Sequence, residues 1–360
     1  MFAYYLLVGI PLLLALLMHS VKYTYQLNRP PYQREVIRAF FLIYFLLLAL
    51  RSEGIGLDTW NYLDKFRTAR ALTWTEYVFG RSSEHGYAFL TKLIGCVTGN
   101  EQVFLAVIAF ITVYPIAKLY MEESEAPVLT ICTYLVLPMF QLLFSGLRQA
   151  TAMAFIPAIY GCIRERRGIR FVTLVLAASF FHTSAWVMLL LYPVYHARIP
   201  RKALIWVAPV LMAIVVFRRQ IYMLMFTLMN YAFYAEYAVT EETGAYSMLL
   251  LFAIILIFSY AFLGKTDEET SGLRNILILS VAVQSFAMVN RVVMRVNYYY
   301  LLFLPLLLPK VIQRIPSKNK WFAHLVEFVC CAYFIFNFFR KALSGVDSLE
   351  IYPYIPFWSS

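Results

Sequence analysis

Charge is what this chain has least of. Asp, Glu, Lys and Arg make up 14% of its 360 residues, against 62% apolar types. A water-soluble domain of that size has no means of hiding so much apolar surface, which excludes a soluble enzyme or binding module. Metal-ligand spacing is missing too. The five cysteines (Cys96, Cys132, Cys162, Cys330, Cys331) sit in or beside apolar runs and are expected as buried structural thiols. The five histidines are scattered, so no metal and no cofactor is expected. No DxD pair lies in the basic loops, which argues against a nucleotide-sugar donor held through a divalent cation. Glycine-rich phosphate loops, internal repeats and low-complexity stretches are absent as well.

What the chain has instead is a series of apolar runs near ~20 residues, the length a helix needs to cross a bilayer. It reads as all-α: a polytopic transmembrane helical bundle of about 12 spans. These fall at 2–21, 36–50, 101–120, 127–144, 146–163, 169–181, 183–197, 203–217, 245–264, 273–290, 296–313 and 321–339. A single bundle would occupy 1–340, followed by a tail at 341–360. The first run has no basic residues before it and no small-residue cleavage pattern after it, so it reads as a retained helix.

The net charge of +11, from 31 Lys+Arg and 20 Asp+Glu, would suggest nucleic acid for a soluble chain. Here it reads as the positive-inside bias of cytoplasmic loops, with no nucleic-acid partner. The densest clusters are Arg164, Arg166, Arg167 and Arg170; Arg198, Arg201 and Lys202; and Lys310, Arg314, Lys318 and Lys320. Keeping the first two on one side splits Phe171–Tyr195 into two short helices meeting at His182. Keeping Lys22, Arg29 and Arg34 there as well requires that 84–98 not cross, but form an interfacial or re-entrant helix. Arg218-Arg219 fits this topology poorly. The outer face then collects the loop 51–100, the turn before Arg148, His182, the turn at Asn290-Arg291 and the tail. It also collects an amphipathic interfacial segment at 218–244, with Tyr222, Tyr231, Tyr234 and Tyr237.

Several outer-face residues carry two readings. Arg51 is a snorkelling anchor or a site for an anionic group, helped by Gly54 and Gly56, whose backbone allows close approach. Asp58 is a helix N-cap or a carboxylate that activates a hydroxyl. Trp60, Tyr62 and Tyr87 suit either the membrane interface or the faces of sugars. Glu84 is a helix-dipole partner or a second catalytic carboxylate. Arg148-Gln149 opens a helix from the outer face, where macrodipole and guanidinium attract an anion together; the other reading is an ion pair with Asp58 or Glu84. His182 is a structural histidine, a phosphate ligand or a proton relay. Arg291 and Arg295 share one helix face and either anchor headgroups or clamp a pyrophosphate.

Four blocks in this order resemble the EpsG family of bacterial exopolysaccharide proteins, a group of Wzy-like polymerases. They are Leu50-Arg51…Gly56-Leu57-Asp58-Thr59…Tyr62…Phe66, Glu84…Gly86-Tyr87…Leu90, Ser145-Gly146-Leu147-Arg148-Gln149-Ala150…Ala152 and Phe181-His182…Ser184-Ala185. Leu57 departs from the small residue expected before the aspartate, and Phe181 from a second histidine. The resemblance implies a bacterial cytoplasmic-membrane glycosyltransferase of exopolysaccharide, capsule or O-antigen synthesis. It would join undecaprenyl-pyrophosphate-linked oligosaccharide repeat units on the outer face. Arg51, Arg148, Gln149, Arg291 and Arg295 would hold the pyrophosphate. Asp58, Glu84 or His182 would act on the acceptor hydroxyl, and Trp60, Tyr62 and Tyr87 would contact sugar. The partners implied are the lipid-linked donor and acceptor, the bilayer, and the flippase and chain-length regulator of the same pathway. The rivals are an O-antigen ligase, a lipid-linked oligosaccharide flippase and a non-catalytic assembly subunit.

Overall fold

Proline decides where the apolar runs break. The computed structural model describes residues 1–25, 32–80, 83–228, 243–262, 267–344 and 349–359, and these are helical with no strand among them. The run expected as one span at 127–144 is two helices, α6 (Pro127–Val136) and α7 (Pro138–Ser145), bent by 63°. Pro138 drives Leu137 out of the helical region, to φ −79 and ψ 143. The run at 146–163 likewise divides into α8 (Leu147–Met153) and α9 (Ile156–Arg164) ahead of Pro157. The run at 296–313 divides into Arg291–Leu301 and Leu304–Gln313 ahead of Pro305. The missing N–H and the ring disfavour a helix interior, although Pro11, Pro115, Pro209 and Pro309 are carried inside other helices.

Other elements have equally local causes. Helix α5 (Glu101–Glu123) starts at Asn100, whose side chain accepts from the amides of Gln102 and Val103 at 2.8 and 3.1 Å. Helix α10 (Gly168–Phe181) stops where His182 turns extended, at φ −156 and ψ 122, and a 3-10 stretch, Thr183–Leu190, follows. The helix Leu204–Leu228 runs straight through Arg218-Arg219, where a span end was expected. Tyr231, Tyr234 and Tyr237 lie outside the described residues. Among the described residues four helices are long and apolar enough to cross a membrane: Glu101–Glu123, Ile205–Leu224, Ala245–Phe262 and Lys320–Leu343. The bent pair α6–α7 makes a fifth if it forms one span.

The chain forms two compact units, Met1–Trp186 with His324–Ser360, and Val187–Ala323. In the second, Asn297 is buried between Ser280 and Gln284, accepting from the Ser280 hydroxyl at 2.8 Å and donating to Gln284 at 2.9 Å. The first unit has an aromatic centre around α2 (Tyr32–Ala49). Tyr44 stacks on Phe140 at 4.8 Å and donates to its carbonyl at 2.5 Å. The thiols do not all share this interior: Cys132 is buried, but Cys96 is exposed on the apolar outer face of its helix with Leu93 and Val97.

The first unit is closed by its own tail. The amides of Ser52, Gly56 and Leu57 donate to the carbonyls of Ile355, Glu350 and Leu349 at 3.0, 3.0 and 2.9 Å. In return the Phe357 amide donates to Leu50 at 2.9 Å. The hydroxyls of Tyr354 and Tyr4 donate to Leu47 and Ile351 at 3.1 and 2.5 Å. Gly56 makes this loop possible. Its φ is +90, and a Cβ there would stand 2.3 Å from the Phe144 carbonyl oxygen. Gly56→Ala should therefore lower the thermal midpoint of the purified protein, at a backbone cost of about 1–3 kcal/mol before any clash. Gly54→Ala, whose Cβ would meet nothing closer than Ser52 at 4.0 Å, should leave the midpoint almost unmoved.

Candidate functional site

Helix α4 (His85–Val97) brings Glu84, at its N-cap, against the break after α10. The approach depends on Gly86: a Cβ there would stand 2.9 Å from the Phe180 backbone. Glu84 is 6% exposed, and both its oxygens are occupied. Oε1 accepts from His182 Nδ1 at 2.5 Å and from the Thr183 amide at 3.3 Å. Oε2 accepts from Arg148 Nη1 at 2.6 Å. Burial alone would raise the Glu84 carboxyl. The His182 hydrogen bond and charge, with Arg148 and the Thr183 amide, outweigh it and hold the group below its ordinary 4.5. A depressed carboxyl contributes fully above 4.5, and its contribution is lost only as the pH falls through the lower folded value. Glu84 is thus an anion at neutral pH.

Its two partners face outward. The Arg148 side chain is 39% exposed and the His182 side chain 25% exposed. A histidine donating from Nδ1 to a carboxylate keeps Nε2 as the nitrogen free to take a proton. Among the described residues Nε2 has no hydrogen-bond partner. Arg148 also donates from Nε to the Tyr62 hydroxyl at 3.4 Å, and Tyr62 packs edge-on against Tyr87 at 5.7 Å.

Helix α3 (Thr59–Ala71) supplies the second wall. Asp58 stands at its N-cap but makes no side-chain cap bond; instead Oδ2 accepts from the Ser145 hydroxyl at 3.3 Å. Ser145 ends α7, three residues before Arg148. Lys65 shares the helix face of Asp58 and Tyr62 and was not singled out from the sequence. The i, i+4, i+7 spacing from Asp58 was the signal for it. Its ammonium lies 5.9 Å from the Tyr62 ring. Burial, then the charge of Arg148, pull Lys65 below its ordinary value, while Asp58 and Glu84 oppose them. One small region therefore holds two cations, two carboxylates and a histidine.

The remaining expected residues are placed differently. Arg51 is 1% exposed beneath the tail, and forms a β-bridge with Pro356. It donates from Nη1 to the Leu48 carbonyl at 2.7 Å and lies 5.8 Å from the Phe144 ring. Among the described residues its Nε and Nη2 have no hydrogen-bond partner. Of the two glycines expected to offer amides to a ligand, Gly56 gives its own to the Glu350 carbonyl of the tail. Gln149 is buried. Of the aromatics expected at sugar, Trp60 is 62% exposed, whereas Tyr62 and Tyr87 are buried. Arg291 and Arg295 belong to the second unit, where Arg295 is exposed; the side chain of Arg291 lies outside the described residues. Among the described residues no group of three or more His, Cys, Asp or Glu is placed to hold a metal ion.

Long apolar helices together with this charged cluster define a helical membrane protein with a polar site at its interhelical loops. The model of the EpsG family matches residues 36–355, and the chain belongs to that family. The match contains all four sequence blocks and supports a polymerase-type role in exopolysaccharide biosynthesis. No curated protein and no solved structure matches the chain.

Proposed function

We propose that the protein polymerises undecaprenyl-pyrophosphate-linked oligosaccharide repeat units on the extracytoplasmic face of a bacterial cytoplasmic membrane. The observation that carries this is the grip of buried Glu84 on His182 and Arg148, which sets a proton acceptor beside an anion site. An acceptor sugar hydroxyl attacks the anomeric carbon of the donor chain, and its proton passes to His182 Nε2. The glycosidic bond forms as the bond to pyrophosphate breaks. Arg148 and Lys65 receive the departing undecaprenyl pyrophosphate. Glu84, with both oxygens engaged, is a positioning residue that orients the imidazole. Asp58 and exposed Trp60 stand ready for the acceptor sugar.

The topology proposed from the basic loops draws support from α4. Its 13 residues measure ~20 Å, short of the ~30 Å hydrocarbon thickness. An interfacial α4 keeps Glu84, Arg148 and His182 on one side, and the twelve-span, single-bundle arrangement stays part of this proposal. A flippase and a chain-length regulator of the same pathway are the proposed protein partners.

The test is to incubate purified protein in nanodiscs with one lipid-linked repeat unit. A ladder of longer products is expected; translocation without elongation overturns the proposal. Glu84→Gln should lower kcat about 10–100-fold with KM within about twofold, as expected of a group that orients a base. Unchanged kcat would remove Glu84 from the mechanism.

A further inference from the structure

An apolar groove of about 610 Å³ lies between α10 on one side and, on the other, α4 with the single π-helical turn Thr75–Phe79. Its walls are Val78, Phe79, Phe89, Leu176, Ala177 and Phe180. The polar groups along it are already engaged. His85 donates from Nδ1 to the Val78 carbonyl at 2.7 Å, and the Thr173 hydroxyl donates to Ile169 at 3.0 Å. The volume falls in the range of ligand sites, about 300–1,000 Å³, which are mostly apolar with a few polar groups at one end. The wall formed by Val78 and Phe79 is a π turn, a rare form that recurs at functional sites.

The groove has a chemical direction. Phe181, which adjoins His182 in the chain, and Gly86, two residues from Glu84, line it. Arg148 is hydrogen-bonded to Glu84. One end of the open apolar groove therefore lies beside the Glu84–His182–Arg148 cluster, with Lys65 nearby. A ligand that fills both has one apolar chain joined to a multiply charged anionic head. A polyprenyl pyrophosphate has that form, whereas a free sugar phosphate brings no apolar chain to the groove.

We propose that this groove seats the polyisoprenyl chain of the lipid-linked substrate and delivers its pyrophosphate to Arg148 and Lys65. This rests on the polymerase reading. The isoprene units nearest the head lie along Phe180 and Phe181, and those further out pass between Phe79, Phe89 and Leu176. The groove thus distinguishes donors by their lipid, separately from their sugars.

Two experiments test it. In the first, wild-type protein in phosphatidylglycerol nanodiscs receives a polyprenyl pyrophosphate carrying a diazirine in its chain. Crosslinks should map by mass spectrometry to Thr75–Phe79, α4 and α10. Unlabelled undecaprenyl pyrophosphate should suppress them, and an equal amount of phosphatidic acid should not. Equal suppression by phosphatidic acid, or crosslinks elsewhere, overturns the proposal in favour of bulk lipid. In the second, Ala177→Trp fills the groove away from Glu84. It should raise KM for a long-chain donor about tenfold or more, since several methylenes lose their burial. A two-isoprene donor should change less than about twofold, as should the exposed-face control Ile169→Trp with either donor. Equal losses for both donors overturn the proposal. If wild-type protein crosslinks the probe as expected but elongates nothing, the groove stands and the polymerase reading falls.

Discussion

Arg148→Ala should leave single lipid-linked repeat units and no polymer ladder, a loss of about three orders of magnitude or more. Two effects combine. The variant removes a charge-assisted donor from the departing pyrophosphate, and one such donor is worth ~10²–10³ in rate. It also strips buried Glu84 of its cation; because Arg148 is itself 39% exposed, solvent screens the pair and the cost falls below the roughly 3–5 kcal/mol of a fully buried one. His182 then keeps its hydrogen bond to a carboxylate whose Oε2 has lost the Arg148 donor. Arg148→Lys separates the two effects. A lysine brings the charge back as a compact ammonium, but not the planar fork that meets Glu84 from Nη1 and Tyr62 from Nε. It should recover thermal stability more completely than rate. A normal ladder from Arg148→Ala, resolved on a gel of radiolabelled product, would remove Arg148 from the site.

Removing residues 349–360 should abolish elongation and lower the thermal midpoint of the remaining protein. The deletion takes away six hydrogen bonds: those of Ser52, Gly56, Leu57, Phe357, Tyr354 and Tyr4. At about 1 kcal/mol each the sum is several kcal/mol, a large share of the 5–15 kcal/mol that ordinary domains possess. It also uncovers Arg51, whose guanidinium is sheltered by the tail. The loop that leads into Asp58 would lose its outer support, and with it the placement of α3, Lys65 and Tyr62. Trp358→Ala, at an exposed ring, should change neither property. A truncated protein with full activity would reduce the tail to a surface ornament. Differential scanning fluorimetry and the ladder assay together decide this.

The residues of the charged cluster were legible because charge is rare in this chain. Against so apolar a background Asp58, Glu84, Arg148 and His182 stand out, and the family resemblance they carry is met by the family match. The break at His182 was readable from the basic flanks on either side. Other features left no such mark. The bend at Leu137-Pro138 was hidden by a hydropathy that runs through it unchanged, although Pro138 itself was in view. Lys65 sat in a helix too polar to resemble a span and too short to draw attention. The tail is hard to see from composition because four of its six hydrogen bonds join backbone carbonyls to backbone amides, which leave little mark on side-chain type. The placement of Arg51 follows from that: without the tail it reads as an outward cation, and with the tail it is an interior one.

The pairing of Tyr4 with Ile351 spans 347 positions of sequence. At roughly 5–20 residues per second of synthesis, about 20 s to a minute passes between the two leaving the ribosome. Throughout that interval the early loop, with the amides of Ser52, Gly56 and Leu57, has no partner to close on. The early helices therefore present an unfinished surface, and this loop closes only once residues 349–357 have been made. The interval leaves those amides open to whatever else can accept a hydrogen bond, a cost set by the distance between the two halves of the contact along the chain.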